Sequence, residues 1–221
     1  MKEVNDLANI KAVALNEKVP FRCQLCGACC RNVKDSIMLE PIDVFHLTRY
    51  LREQGEPVIG TEDVLARYAH ASWLETNFPI FLLNTVEALD TCVFLKDGRC
   101  SVYEARPQVC RMYPFSAAPG SRGRDFQYFR CTEKSHHFTD GLVIVKDWLS
   151  QNFSKEAKAA LKADYDAIPI IGQNIRAMGE ERFQSLIFQF LYYRYYNYEL
   201  DEPFLPQFRS NLEELCRLTG G

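Results

Sequence analysis

The amino-acid sequence predicts a mainly α-helical chain with a small β-hairpin, an α+β arrangement in which an irregular cysteine-rich half packs on a helical half. Three observations lead there. Eight of the nine cysteines fall between residues 23 and 131. Within that stretch two short apolar runs flank Asp97-Gly98, the local pattern of a tight hairpin. From Thr139 onward the cysteines stop, and apolar residues recur at helical spacing. A chain of 221 residues with 47% hydrophobic content can bury a core of its own. It reads as one domain over 1–221, with a cysteine region at 21–138 and a helical region at 139–221.

Taken in order, residues 1–20 read as a short helix or arm ending at Pro20. After the cysteine loop at 21–32, Glu40-Pro41 with Asp43 behind it starts a helix that runs to about Arg52, where Gly55 stops it. Thr61 reads as the cap of a second helix, Glu62 to about Trp73, with two acids at the positive end of its dipole. Phe78 to Asn84 is apolar and Pro-bearing and reads as a buried extended segment. The hairpin follows, Cys92–Leu95 against Cys100–Tyr103, which brings Cys92 and Cys100 together at its open end. Arg106-Pro107 opens a short helix carrying Cys110, which Pro114 ends. Residues 116–125 read as a loop and Phe126–Cys131 as extended.

In the second half, helices are expected over 142–153, 154–165 with Ser154 as cap, 180–198 and 206–218. Residues 188–198 hold seven aromatics and one cation, Arg194. In an acidic chain that pattern predicts a helix buried on more than one side rather than a platform for stacked bases. Cys216, beside the apolar face of the last helix, reads as a packing residue.

The chemistry concentrates in Cys23-Gln-Leu-Cys26-Gly-Ala-Cys29-Cys30. Turns of two intervening residues let successive sulfurs converge, and thiolates so close repel one another unless a cation lies between them. Gly27 suits such a loop because it can take positive φ. Cys29 and Cys30 leave adjacent α-carbons in different directions, so one mononuclear metal does not readily take both. Further ligands are therefore expected from Cys92, Cys100, Cys110 and Cys131. Disulfides are the alternative for the set, but nothing at the N-terminus requests an oxidising compartment. Thiolate-only ligation suits zinc or an iron–sulfur cluster. The first three cysteines match the bacterial ferredoxin run, whereas Cys30 departs from it. Structural zinc usually takes two short cysteine pairs and the second is missing here, so a four-iron, four-sulfide cluster is favoured, with zinc as the alternative.

Arg22, Arg31, Arg106 and Arg111 flank cysteines. They compensate the charge of a thiolate-bound centre or anchor an anionic cofactor or substrate, with Arg106 and Arg111 the residues assigned to that binding role; surface or ion-paired arginines are the competing reading. His136 and His137 read as loop histidines, the alternative being ligands that replace a cysteine. His46 reads as an ordinary, partly exposed histidine.

These pieces resemble the CxxCxxCC (YkgJ-like) cysteine-cluster family, described as zinc- or iron-chelating. The resemblance rests on Cys23–Cys30, Leu39-Glu-Pro-Ile-Asp43, Cys92-Val-Phe-Leu, Gly98-Arg-Cys100-Ser-Val-Tyr103 and Glu104-Ala-Arg106-Pro107-Gln-Val-Cys110-Arg111-Met-Tyr-Pro114-Phe. A cysteine cluster of the same kind occurs in flagellin lysine methylases, iron–sulfur proteins that use S-adenosylmethionine. The resemblance implies a metal or cluster centre. It also implies protein (lysine) methyl transfer as an alternative function, although the chain shows no glycine-rich adenosyl-binding loop. A zinc-stapled interaction module is the third reading, so enzymatic activity stays open.

The expected partner is a protein partner or substrate. A net charge of -3 argues against nucleic acid. No window holds the roughly 18 apolar residues of a spanning helix, so a cytoplasmic protein away from membranes is expected.

Overall fold

A computed structural model of the chain describes residues 9–74, 78–86, 88–119 and 126–220. The chain begins with two strands, β1 (Ile10–Val13) and β2 (Lys18–Val19), rather than the helix or arm expected over 1–20. Residues 1–8 of that expectation lie outside the described residues. The cysteine loop, with a 3-10 turn at Ala28–Cys30, leads to β3 (Met38–Leu39) and α1 (Pro41–Glu53). Helix α1 starts as its sequence dictates. Pro41 occupies the first turn, and the side chains of Glu40 and Asp43 cap each other's backbone in a reciprocal box. Gly55 then takes φ 80° and ends the run.

Helix α2 (Thr61–Tyr68) is shorter than predicted, and Ala69–Leu74 forms strand β4. Its N-cap is Gly60, and Thr61 is already helical. The helix stops because β5 (Phe78–Leu83) needs a neighbour along its whole length. β4 pairs with β5 antiparallel from Ala69↔Leu83 to Leu74↔Phe78, and β3 flanks the other side only at Phe81 and Leu82. Pro79 therefore sits beyond the reach of β3, where its missing N–H costs no ladder bond on that side.

Every residue of β5 is buried, and its two faces serve two apolar clusters. Phe78, Ile80 and Leu82 enter one, and Phe81 and Leu83 the other, as the period of two requires. Helix α1 is shared in the same way: Ile42 and Phe45 face the first cluster, Val44, Leu47 and Leu51 the second. Each fully buried side chain of this size contributes about 1.5–3 kcal/mol.

Next come β6 (Thr85–Val86), β7 (Thr91–Cys92), β8 (Leu95–Lys96) and β9 (Arg99–Cys100). The Asp97-Gly98 hairpin exists, with both residues at positive φ, 50° and 74°, as a type I′ turn requires. It is shorter than expected: Leu95 pairs with Cys100, while Cys92 pairs with Thr85 in a separate ladder.

Helix α3 (Gln108–Met112) begins after Pro107. β10 (Phe115–Pro119) occupies the start of the predicted 116–125 loop, and residues 120–125 lie outside the described residues. β11 (Phe126–Cys131) pairs with β10 and with β1, so the N-terminal segment is held extended by a partner far along the chain.

The remainder is β12 (Val143–Ile144), paired with β2, and helices α4 (Val145–Asn152), α5 (Lys155–Met178), α6 (Glu180–Leu191) and α7 (Phe204–Gly220). Helix α5 passes the expected end near Tyr165 and continues through Pro169. Ala167, Ile171 and Ile175 are buried on it, and it packs along α7. Among the described residues no helix is long and apolar enough to cross a membrane.

The Ser154 hydroxyl caps α5 by accepting from the Ala157 N–H at 3.0 Å. Ser154→Ala is expected to cost about 1 kcal/mol, read as a melting temperature lower by about 2–4 °C. An unchanged melt would show that the cap does not contribute.

The aromatic run 188–198 is buried on two sides through Phe190, Arg194 and Tyr195, as predicted, while Phe188 and Tyr192 are exposed. It is helical to Leu191 and then widens into a π-turn at Tyr192–Tyr196. Phe190 enters the first cluster, and Tyr195 enters the second, packing edge-on to Phe81 at 4.9 Å. Arg194, only 3% exposed, makes a bidentate pair with Asp164 at 2.6 and 2.9 Å; Glu40 lies at 3.6 Å.

Candidate metal centre

The cysteine loop is fixed at both ends. On the N-terminal side Phe21 is buried, edge-on to Trp148 at 5.2 Å and to Tyr113 at 6.0 Å. On the C-terminal side the N–H groups of Asn32 and Val33 donate to the carbonyls of Leu89 and Asp90. Between these anchors Gly27 takes φ 68°, as expected of it. A Cβ there would lie 2.8 Å from Leu95 Cδ1 and 2.9 Å from the Gly98 carbonyl oxygen. The glycine thus lets the loop seat directly on the Asp97-Gly98 hairpin.

That seating joins the two halves of the cysteine set. Cys23, Cys29, Cys30, Cys92, Cys100 and Cys110 line one cavity of about 150 Å³. They arrive on the loop, on β7, on β9 and on α3. Cys92 and Cys100 are neighbours as expected, although they sit on separate ladders. Cys26 lines an adjoining cavity of about 190 Å³ together with Cys23, Cys29, Cys30 and Cys100. Cys131, at the end of β11, donates its N–H to the Pro114 carbonyl and lines neither cavity; its nearest role is electrostatic, at Tyr113. All nine cysteines are free thiols.

The electrostatics are those of crowded thiols with Arg106 as a nearby positive charge. Cys29 Sγ lies 4.0 Å from Cys30 Sγ. The pair shares a proton unevenly: the hydrogen bond from Cys30 brings Cys29 down to about 7, and the same bond holds Cys30 well above the usual thiol range. Burial pushes Cys92, Cys100 and Cys110 up, and neighbouring cysteines add to the rise. A cation in the cavity reverses both effects at once.

His136 and His137 lie on a turn that sets both rings against Cys26. A 3-10 turn at Ser135–Phe138 carries both. Cys26 Sγ lies 3.2 Å from His137 Nε2 and 3.9 Å from His136 Nε2. Among the described residues these are the three metal-type ligands whose donor atoms all fall within 4.8 Å of one another. His137 is buried, and its Nδ1 meets the Tyr113 hydroxyl at 2.9 Å. With the Nδ1 hydrogen directed to the tyrosine oxygen, the Nε2 lone pair faces Cys26, the arrangement of a metal-ligating imidazole. Burial lowers the His137 pKa and favours that neutral ring. The adjacent His-His pair was the available signal, but its partner Cys26 lies 110 residues away.

Of the four flanking arginines, Arg22 pairs with Asp140 at the surface and Arg31 donates to the Cys26 carbonyl at 3.2 Å. Arg106 and Arg111 line the thiol cavity. Neither is ion-paired with a carboxylate among the described residues. Arg106 stacks on the Tyr103 ring at 3.8 Å, and Arg111 donates to the Glu104 carbonyl. His46, exposed, pairs with Glu156. Cys216 packs against the first apolar cluster, far from the lining thiols in role, as expected.

Two further cavities border this region. One, about 300 Å³, is mostly apolar, with Met38, Phe153 and Phe208 among its walls and Glu40, Asp43 and Asp164 as its acids. The other is a polar cleft of about 500 Å³ that includes Arg106 and Arg111.

A family model, CxxCxxCC, described as "Putative zinc- or iron-chelating domain", matches residues 22–139. The uncharacterized protein MJ0661 of Methanocaldococcus jannaschii is 28% identical over 100 residues, which cover 44% of this chain and 46% of that protein. The chain thus spans about half the length of the curated relative it matches. No solved structure matches the chain.

Proposed function

Because the chain belongs to the CxxCxxCC family, we propose that its thiol cavity is a chelating centre for an iron–sulfur cluster, four-iron by preference, in a structural or redox role. One observation carries this reading: six cysteines from separate segments line a single cavity. The donor set fits. It is all sulfur, which suits iron–sulfur or zinc and excludes hard cations. Among the described residues, no three of these sulfurs come within 4.8 Å of one another. Such spacing suits a cluster, whose thiolates each hold a different iron, better than a single ion.

When bound, the cluster would supply one-electron exchange or a covalent staple. The chain's own residues do the rest. Phe94 and Val102 wall the cavity from water, and Arg106 and Arg111 bring positive charge to a centre whose thiolates leave it negative.

A second centre, of zinc, is supported by Cys26, His136 and His137. Zinc bonds of about 2.3 Å to sulfur and 2.0–2.1 Å to nitrogen put tetrahedral neighbours about 3.6 Å apart, between the 3.2 and 3.9 Å found. Three protein ligands leave one position open, as in catalytic rather than closed structural sites.

The test is elemental analysis after anaerobic purification. Iron and acid-labile sulfide are expected together, with broad visible absorption that bleaches on reduction. His137→Ala should lower zinc and leave iron in place, and Cys216→Ala should change neither. Zinc alone, unaltered by attempted iron–sulfur reconstitution, would overturn the cluster reading.

A further inference from the structure

The polar cleft lies on the other side of the arginines that border the thiols. Arg106 and Arg111 line both the thiol cavity and the cleft, and Arg49 joins them from α1. At about 500 Å³ the cleft falls within the range of small-molecule sites. Of its four acids, Asp43, Glu53, Glu104 and Glu156, two are engaged by neighbours in the cleft. Asp43 accepts from the Gln108 N–H at 2.7 Å and from the Glu40 N–H at 3.1 Å. Glu156 is paired with His46 at 3.2 Å. Glu53 and Glu104 are exposed.

The three guanidiniums, by contrast, have no carboxylate partner among the described residues. Arg106 and Arg111 are nonetheless held in place. Arg106 is stacked on Tyr103 and donates to its carbonyl at 2.8 Å, Arg111 donates to the Glu104 carbonyl, and Arg49 lies 5.8 Å from the Phe45 ring centre. Guanidiniums fixed by packing and left without an anion are pre-organised for one, because their ordering cost is already met.

We infer that this cleft binds a small molecule bearing a carboxylate or phosphate group, held by Arg49, Arg106 and Arg111 beside the thiol centre. The inference deepens the chelating reading by naming the class of molecule that sits next to the centre, and it rests on that reading for the neighbour's identity only.

The experiment is calorimetric titration of the full chain, isolated anaerobically with its metal, using inorganic phosphate in one arm and acetate in the other at low salt. Saturable binding of at least one is expected, weakening as salt is raised; the tighter arm identifies the anion class. Arg49→Gln and Arg111→Gln should each weaken that binding by about tenfold or more. Arg49 lines the cleft but not the thiol cavity, so its variant should keep the wild-type metal content. Absence of saturable binding in metal-loaded wild type, or wild-type affinity in Arg49→Gln, would overturn the inference. Metal content measured on the same samples separates the two readings. Anion binding by protein that takes up no metal would defeat the chelating centre alone, and metal-loaded protein indifferent to both anions would defeat the cleft alone.

Discussion

Serine in place of Cys110 is expected to strip metal from the protein and to lower its melting temperature by on the order of 10 °C. Cys110 comes from α3, whereas Cys23, Cys29 and Cys30 come from the loop, yet all line one cavity. If that cavity is the centre, binding free energy is folding free energy, on the order of 10 kcal/mol for a thiolate site. Forfeiting even a third of it, at about 2–4 °C per kcal/mol for a chain of this size, gives the shift stated. Cys26→Ser should likewise reduce both metal and melting temperature, through the histidine-bearing group. Metal stoichiometry beside a melting curve for each variant is the measurement. A variant that loses metal and melts normally would uncouple the centre from the fold. A peptide of residues 18–36 that bound the full metal complement would show that the downstream cysteines are not needed.

Asp164→Ala is expected to destabilise the fold by about 3–5 kcal/mol, because it leaves a buried guanidinium without its partner. Arg194 is 3% exposed and meets Asp164 through both nitrogens. Glu40, at 3.6 Å, is a poor substitute, because burial, the largest cause, pushes its pKa up whether or not Asp164 is present. Replacing both members with apolar groups of similar volume, Asp164→Leu with Arg194→Met, should recover most of the loss, since no orphaned charge remains. Urea unfolding of the two variants beside the parent chain tests this. A loss under about 1 kcal/mol for Asp164→Ala alone would mean that Arg194 regains water or a second partner at little cost.

Features encoded by neighbours in the chain were readable, and those encoded by distant partners were not. Glu40-Pro41 with Asp43 predicts the start of α1, Asp97-Gly98 the hairpin, and Gly27 the left-handed turn, because each acts through its own backbone. Clustered cysteines predict convergence whatever the strands do, and six of the eight line one cavity. By contrast, Ala69–Leu74 carries no local instruction to leave the helix, and becomes a strand only because β5 offers an edge. The pairing of β1 with β11 is similarly non-local. Arg194 looked like the lone cation in an aromatic run, since Asp164 stands 30 residues earlier. The placement of His136 and His137 against Cys26 was hidden for the same reason.

Helix α3 is barely more than one turn long, yet it is a partition among three compartments. Gln108 borders the cleft and the apolar cavity, Val109 the apolar and thiol cavities, Cys110 the thiols alone, Arg111 the thiols and the cleft, and Met112 the apolar cavity. Gln108, Val109 and Arg111 thus each face two chambers at once. Enlarging Val109 to trim the apolar cavity also moves the thiols, and retuning Arg111 for a different anion also alters the charge beside them. Natural variation at 108–112 should therefore come in matched sets, a change on one side of the partition accompanied by a compensating change on the other.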